Sequence, residues 1–345
     1  MRTRITEAFG IRHPIILSGM SWISLPQMVA AVSNAGGLGI LATGVYNPEQ
    51  TRQAIREVRA LTDKPFGANA TLYFPGAKEN AQVLLDEKVP VINFSMGKGD
   101  WIVKGAHEYG GKVVASVVNE KHARSAAEYG TDALIVTANE AAAHAGECGG
   151  MVLIPAIVDA VKIPVIAAGG IADGRGLAAA LALGADGVAM GTRLMCTRES
   201  PAHERCKQLA IEKTFEDTLY STRFDGQWCR VMRGPGAERA RKKGLDLPAA
   251  ALNGREIAKM MDLSYVKLAV GVMASGWRNV KQLAFLANAF KAFRLAIEEG
   301  DERRGMLPLG QSTGLVHDTP TVAEVLERTV AEAKAIQARV AKAVA

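Results

Sequence analysis

"AAGGIADGRGLAAALALGADGVAMGTRL", from Ala167 to Leu194, sets two apolar runs, each ending at a glycine, around one short helical stretch. The runs, Val165–Ala168 and Gly187–Met190, carry no alternation of polar and apolar residues. That is the pattern of strands buried on both faces of a parallel sheet. Asp173 can cap the helix between them and Gly184 can end it.

Working outward, six more such runs precede this pair: Pro14–Leu17, Gly39–Ala42, Phe66–Leu72, Val91–Phe94, Lys112–Val117 and Ala133–Val136. Helix signals fall between them. Ser24-Leu25-Pro26-Gln27 reads as a capping serine, a first-turn proline and a glutamine three residues on, and Asn47-Pro48-Glu49-Gln50 repeats that logic. Eight strand-then-helix units predict an α/β protein, a closed (β/α)8 TIM barrel. The alternative is an open doubly wound sheet, but no Gly-x-Gly-x-x-Gly follows the first strand.

Beyond Arg193 the alternation stops. Residues 206–305 show no further strand run, "RVMRGPGAERARKKG" reads as a loop, and "NVKQLAFLANAFKAFRLAIEEG" as helix. The expectation is a mainly helical insert over 206–305, covering the substrate of a barrel made of 1–205 and 306–345. The last segment forms a long amphipathic helix, started by Thr319-Pro320, that returns to the barrel.

The chain has 345 residues, 48% hydrophobic and 22% charged, enough for a large core. Its net charge of +6 is interleaved with acidic residues and lacks an aromatic-basic motif, so anionic small molecules rather than nucleic acids are the expected partners. The four cysteines, Cys148, Cys196, Cys206 and Cys229, form no CxxC pair. No run approaches the ~20 apolar residues of a membrane span, and the stretch "MRTRITEAFGIRHPIILSGM" shows no long apolar run and no cleavage-like site. A cytoplasmic protein, monomer or homodimer, is expected.

The two glycine turns end the seventh and eighth predicted strands, where the phosphate site of this barrel recurs. Gly169-Gly170 lets backbone approach an anion, and Gly191-Thr192 does the same and adds a hydroxyl. The alternative is that these glycines only make tight turns.

"HPIILSGMSWIS…AVSNAGGLGIL", "PFGANATL", "AAAHAGE", "AAGGIADGRGLAAALALGADGVAMGTR" and "LGQSTGLVHDTP" resemble the nitronate monooxygenase family, formerly the 2-nitropropane dioxygenases. That family includes NADH:quinone reductases and FMN-dependent enoyl reductases. The resemblance covers nearly the whole chain and is weakest in the insert. It implies FMN, held without a covalent link at the top of the barrel, with NADH or NADPH as a co-substrate in the reductase members. It would place the backbone of Gly19 and Met20 beside the flavin ring and a hydrogen bond from Asn69 on it. Gly169, Gly170, Gly191 and Thr192 would hold the phosphate, and Gly310, Gln311 and Ser312 would close over the cofactor.

Of the six histidines, only His144 follows a predicted strand end, the sixth, in the small-residue loop "NEAAAHAGECGG". A histidine there suits proton transfer near neutral pH. In the resembled family this position carries the histidine beside the flavin. His13 reads as structural. His107 and His122 fall on helices, and His203 and His317 have no partner motif. No residue set has metal-ligand spacing, so no metal is expected. Cys148, four residues past His144, reads as a structural thiol.

The sequence departs from the family where substrate would bind: Ala142-Ala143 precede His144 where glycine is usual, Pro308 and Leu309 replace small polar residues, and "YFPGAKEN" follows the third strand. Nitronate oxidation by oxygen is the first functional reading. NAD(P)H-dependent reduction of a quinone or an enoyl or acyl thioester is the second; the basic stretch Arg230–Lys243 reads first as a solvated charged face, with gripping of a carrier phosphate as its alternative. A non-catalytic barrel that binds a phosphorylated ligand is the third.

Overall fold

In this computed structural model residues 1–345 are described except Phe74, Pro75, Ser275 and Ala345. The loop departure "YFPGAKEN" therefore lies partly outside the described residues. Eight parallel strands close a barrel: β1 (Ile15–Leu17), β2 (Leu38–Leu41), β3 (Phe66–Thr71), β4 (Val91–Ser95), β5 (Lys112–Val117), β6 (Ala133–Thr137), β8 (Val165–Ala168) and β9 (Gly187–Met190). The two-residue β7 (Ala143–His144) lies outside it, in the loop after β6. Closure is made by β1 on β9, with Ile15 opposite Val188 and Leu17 opposite Met190. Every predicted strand is present, and the fold is the TIM barrel, not the open sheet.

Ile16, Leu38, Val91, Val114, Ala133, Ile166 and Ala189 fill the barrel, and Ile5 and Phe9 of the first helix, Arg4–Phe9, join that cluster. Several of these are the first residues of their strands, so the first helix plugs the N-terminal end and leaves the C-terminal mouth for ligands. Asn47 and Gln50 make the expected capping box, and Asp173 accepts the backbone N–H of Arg175. Ser24 is no cap. Leu25 occupies the capping position, while the Ser24 hydroxyl donates to Ser18 O at 2.6 Å and accepts from Met20 N at 3.0 Å.

The segment after the barrel corrects the sequence reading. It is mainly helical, but after the helix Glu204–Glu212 it carries β10 (Thr218–Ser221) and β11 (Cys229–Met232), an antiparallel hairpin. "RVMRGPGAERARKKG" is not a loop: it is the end of β11, a short turn and the helix Pro235–Lys243. Strand β11 also pairs with β7, so a three-stranded sheet ties this segment to the mouth of the barrel. A second cluster, including Trp22, Val45, Met195, Leu209, Ile297 and Leu309, packs the barrel's top against the later helices. The last helix, Val322–Val344, lies against Gly174–Ala182, with Glu332 accepting the N–H of Gly174 at 2.8 Å. It starts one step later than expected, after Thr321, which exchanges hydrogen bonds with Glu324. Among the described residues no helix is long and apolar enough to cross a membrane.

Candidate active site

Four strand ends deliver the expected residues to one end of the barrel. Gly19 and Met20 follow β1, Asn69 lies near the end of β3, Gly169 and Gly170 follow β8, and Gly191 and Thr192 follow β9. A side chain on Gly19 would place its Cβ 2.7 Å from Asn69 Cγ, so glycine is required for Asn69 to sit there. The amide of Asn69 accepts the Thr43 N–H at 3.0 Å, and among the described residues its Nδ2 reaches only Gly19 O, at 3.5 Å. One face of that amide is thus fixed, and its donor keeps capacity for a ligand.

Gly169 and Gly170 have φ of +112° and +72°, open to glycine and strained for other residues. A Cβ at Gly169 would stand 3.1 Å from Ala138 O and Ala141 N, so the turn is pressed against the loop after β6. Within the described residues, the backbone N–H groups of Gly170 and Thr192 have no acceptor in the chain. Uncommitted amides at a glycine turn are anion donors.

The return segment arrives at the same place. Gly310 donates its N–H to Thr192 Oγ1 at 3.1 Å, and Gln311 donates to Glu140 O at 2.9 Å. Ser312 is buried beside them, and the Thr313 hydroxyl is buried with no partner among the described residues. Arg193, itself buried, pins the segment through the carboxylate and carbonyl of Asp318, at 2.8 and 2.7 Å. Glu140 holds the opposite side by accepting the N–H of Gly150 at 2.9 Å.

His144 is not in an open loop. It is the second residue of β7, opposite Cys229 of β11. Its Nε2 is hydrogen-bonded to Asp225 Oδ2, with Asp225 fully buried and the imidazole 31% exposed. Burial disfavours the imidazolium, but the hydrogen bond and charge of Asp225 outweigh it and hold His144 above its ordinary value. Ala142, two residues earlier, lies against Gly310, so the histidine loop and the return segment share one wall. Among the described residues no hydrogen bond joins His144 to Asn69.

Asp225, Arg230, Tyr220 and Asn139 escaped the sequence reading in these roles. Arg230 is buried and donates to Asn139 O at 3.0 Å, Asn139 Oδ1 at 2.8 Å and Thr218 Oγ1 at 2.9 Å, with its guanidinium 4.9 Å from the Tyr220 ring centre. Tyr220 donates to the carbonyls of Ala145 and Gly146. These contacts fasten the hairpin to the histidine loop and leave Arg230 no freedom to grip a carrier phosphate. The missed signal was Asp225-Gly226, a turn dipeptide between two short apolar runs. His144, Asp225 and Cys229 bring three possible ligand atoms within 4.8 Å of one another. Burial first, and the Asp225 carboxylate with it, push the Cys229 thiol well up, which keeps it protonated and a poor metal ligand.

Comparison with known proteins agrees with this architecture. A family model described as nitronate monooxygenase matches residues 2–84 and 76–332. A Rhodococcus jostii protein named (3aS,4S,5R,7aS)-5-hydroxy-7a-methyl-1-oxo-octahydro-1H-indene-4-carboxyl-CoA dehydrogenase is 36% identical over 338 residues, covering 96% of each chain. A probable nitronate monooxygenase of Staphylococcus aureus is 30% identical and covers 72% of this chain and 82% of its own. The structure of FabK from Thermotoga maritima superposes with a TM-score of 0.84, at 36% identity and 99% coverage of both chains. The nitroalkane oxidase of Streptomyces ansochromogenes superposes at 0.76 with 26% identity, over 97% of this chain and all of that one. With matches spanning nearly its whole length, the chain belongs to the nitronate monooxygenase family and is an oxidoreductase.

Proposed function

We propose that the protein is an FMN-dependent oxidoreductase of acyl thioesters, exchanging a hydride at one carbon and a proton at its neighbour. The observation that carries this reading is the His144–Asp225 pair: a partly exposed imidazole fixed by a fully buried carboxylate, in the loop that follows a barrel strand. It can give a proton to, or take one from, the carbon beside a thioester carbonyl. Similarity over 96% of both lengths to a protein named as a carboxyl-CoA dehydrogenase supports the thioester as substrate class. The basic helix after β11 is not needed for this reading.

The residues present fit FMN. The N–H groups of Gly170 and Thr192, which have no acceptor among the described residues, lie at the turns after two barrel strands and offer donors to a terminal phosphate. Asn69 Nδ2 and the backbone of Gly19 and Met20 would lie along the ring, and Gly310, Gln311 and Ser312 would close the open side. Bound there, the flavin supplies the two-electron redox chemistry. We assign the holding of the cofactor to 1–205 with 306–345, and the choice of substrate to 206–305, the segment that carries Asp225.

Nitronate oxidation is the second reading, favoured by the Staphylococcus aureus relative and the nitroalkane oxidase structure. The test is anaerobic mixing of the yellow protein with NADH, NADPH, a saturated acyl-CoA or an alkyl nitronate. The thioester reading expects bleaching by acyl-CoA, or by NADH or NADPH with colour restored by an enoyl-CoA. Bleaching by the nitronate alone overturns it.

A further inference from the structure

We propose that Asp225 is a positioning residue that holds His144 by Nε2 and so presents Nδ1 as the atom that exchanges the proton with substrate. This rests on the reading that His144 transfers a proton, and it adds which nitrogen acts and what selects it.

The geometry leaves Asp225 one ionisable partner of opposite charge. Its side chain is fully buried, and among the described residues its only ion pair is with His144. The carboxylate also accepts the N–H of Gln227 at 3.0 Å and the thiol of Cys229. Its own carbonyl is held by Gln282 Nε2 at 3.0 Å, from the helix Trp277–Glu299. The other charged or titratable groups around the pair are committed elsewhere. Arg230 turns to Asn139, and the Tyr220 hydroxyl turns to the carbonyls of Ala145 and Gly146.

A carboxylate only accepts, so neutral His144 must carry its hydrogen on Nε2. Nδ1 then bears the lone pair, and no protein group bonds it within the described residues. Protonated, the same ring keeps its Nε2–H on Asp225 and offers Nδ1–H outward. One geometry thus serves both directions of proton transfer. Two backbone features enforce it. The β7–β11 pairing sets Cys229 opposite His144, and Ala143 takes a left-handed φ of +52°, uncommon for a residue with a side chain. Such strain is retained where the surrounding structure over-determines the position of a functional group.

The test is a nitrogen-15 NMR titration of histidine-labelled holoenzyme, with Asp225→Asn and Asp225→Glu beside it. In the wild type, Nε2 should stay protonated at every pH, with titration confined to Nδ1. An asparagine can donate to Nε2 and reverse the tautomer. Asp225→Asn should therefore lose between about tenfold and 10⁴-fold in kcat/KM, the upper end being the loss seen when a histidine is held in the wrong tautomer. Its pH limb should move to lower pH, and Asp225→Glu should recover part of both. Flavin content is measured for each variant. If the substitutions do not fold, the wild-type spectrum decides alone. A neutral His144 protonated on Nδ1 in the wild type overturns the proposal, as does a flavin-loaded Asp225→Asn with unchanged kcat/KM and pH limb. An Nε2-protonated His144 whose alanine variant retains full turnover would instead overturn the proton-transfer reading and leave the Asp225 contact intact.

Discussion

Gly310 donates its backbone N–H to the hydroxyl oxygen of Thr192 at 3.1 Å, across 118 positions of chain. This bond, beside the Arg193–Asp318 contacts, joins the turn after the last barrel strand to the segment that returns from the helical region. The Thr192 hydrogen is left over to donate to an anion. Thr192→Val keeps the shape and removes both functions, and it strands a buried N–H at a cost of about 1–3 kcal/mol. We expect flavin affinity to fall by roughly tenfold or more, since each ~1.4 kcal/mol is a factor of ten. Thr192→Ser should restore it. Fluorescence titration of apoprotein with FMN measures both, and equal affinity in all three proteins would remove Thr192 from the cofactor site.

Gly310→Ala tests the same contact from the other side. Its φ of −83° is ordinary for any residue, so backbone strain plays no part. The added Cβ would lie 2.9 Å from Glu140 O and 3.1 Å from Ala142 N. Both are backbone atoms and cannot swing aside. A melting experiment should show a loss of about 1–3 kcal/mol, the usual range for overpacking. Turnover should fall further than stability, because Ala142 leads directly into His144.

The barrel was legible in the sequence because each of its strands is a locally apolar run between helix signals. Asn47, Asp173 and the paired glycines likewise act on near neighbours. Ser24 misled because a helix-capping serine and a serine that braces the turn at Met20 have the same local sequence. The hairpin stayed hidden because β10 (TLYS) and β11 (CRVM) mix polar residues into their short runs and β7 is only two residues, so no apolar run marks them as it marks barrel strands of the same length. Their order comes from pairing at long range, such as Cys229 with His144. For the same reason His144 could be picked from its loop, while Asp225 could not. Arg230 was read as surface charge because nothing near it in sequence announces the Asn139 acceptors.

Ala143 stands at φ +52° where a glycine would be relaxed. Relieving left-handed strain is worth about 1 kcal/mol, offset in part by the greater freedom of glycine in the unfolded chain. Ala143→Gly should leave the melting temperature unchanged or slightly higher. If the strain fixes the direction of His144, the variant should nevertheless lose turnover while keeping its flavin. A drop in stability with unchanged turnover would show the reverse, that the methyl packs and the strain is idle.

Arg230→Lys separates a structural cation from a substrate-binding one. Lysine cannot reproduce the fork that spans both oxygens of Asn139 and Thr218. The expected result is a stability loss of about 1–3 kcal/mol, from buried acceptors left unpaired. The KM for a CoA thioester relative to its phosphate-free analogue should not change. A selective rise in KM for the phosphorylated carrier would return Arg230 to the role its sequence suggested.

The last prediction concerns His13, buried below the barrel with neither ring nitrogen hydrogen-bonded among the described residues. Burial, and then the Arg12 charge, lower its pKa to about 4. Between that value and the ~6.5 of an exposed histidine the unfolded chain binds more protons than the folded one. Stability therefore rises with pH across this window and is lost on acidification, by about 3 kcal/mol in full. The windows of two other shifted groups, Asp132 and His144, differ. Asp132, held low despite its burial by His107, Val113 and Lys112, contributes above the ordinary carboxylate value and loses that contribution only as pH falls through its lowered pKa. His144, held high, stabilises below the exposed-histidine value and loses that contribution as pH rises past its own. The slope from pH 6.5 down to about 4 thus isolates His13 from both. Urea unfolding of His13→Leu should match the wild type near neutral pH, since no ring hydrogen bond is lost. It should then show a much flatter decline on acidification. Parallel declines in the two proteins would mean that the ring is already solvated or paired in the folded state.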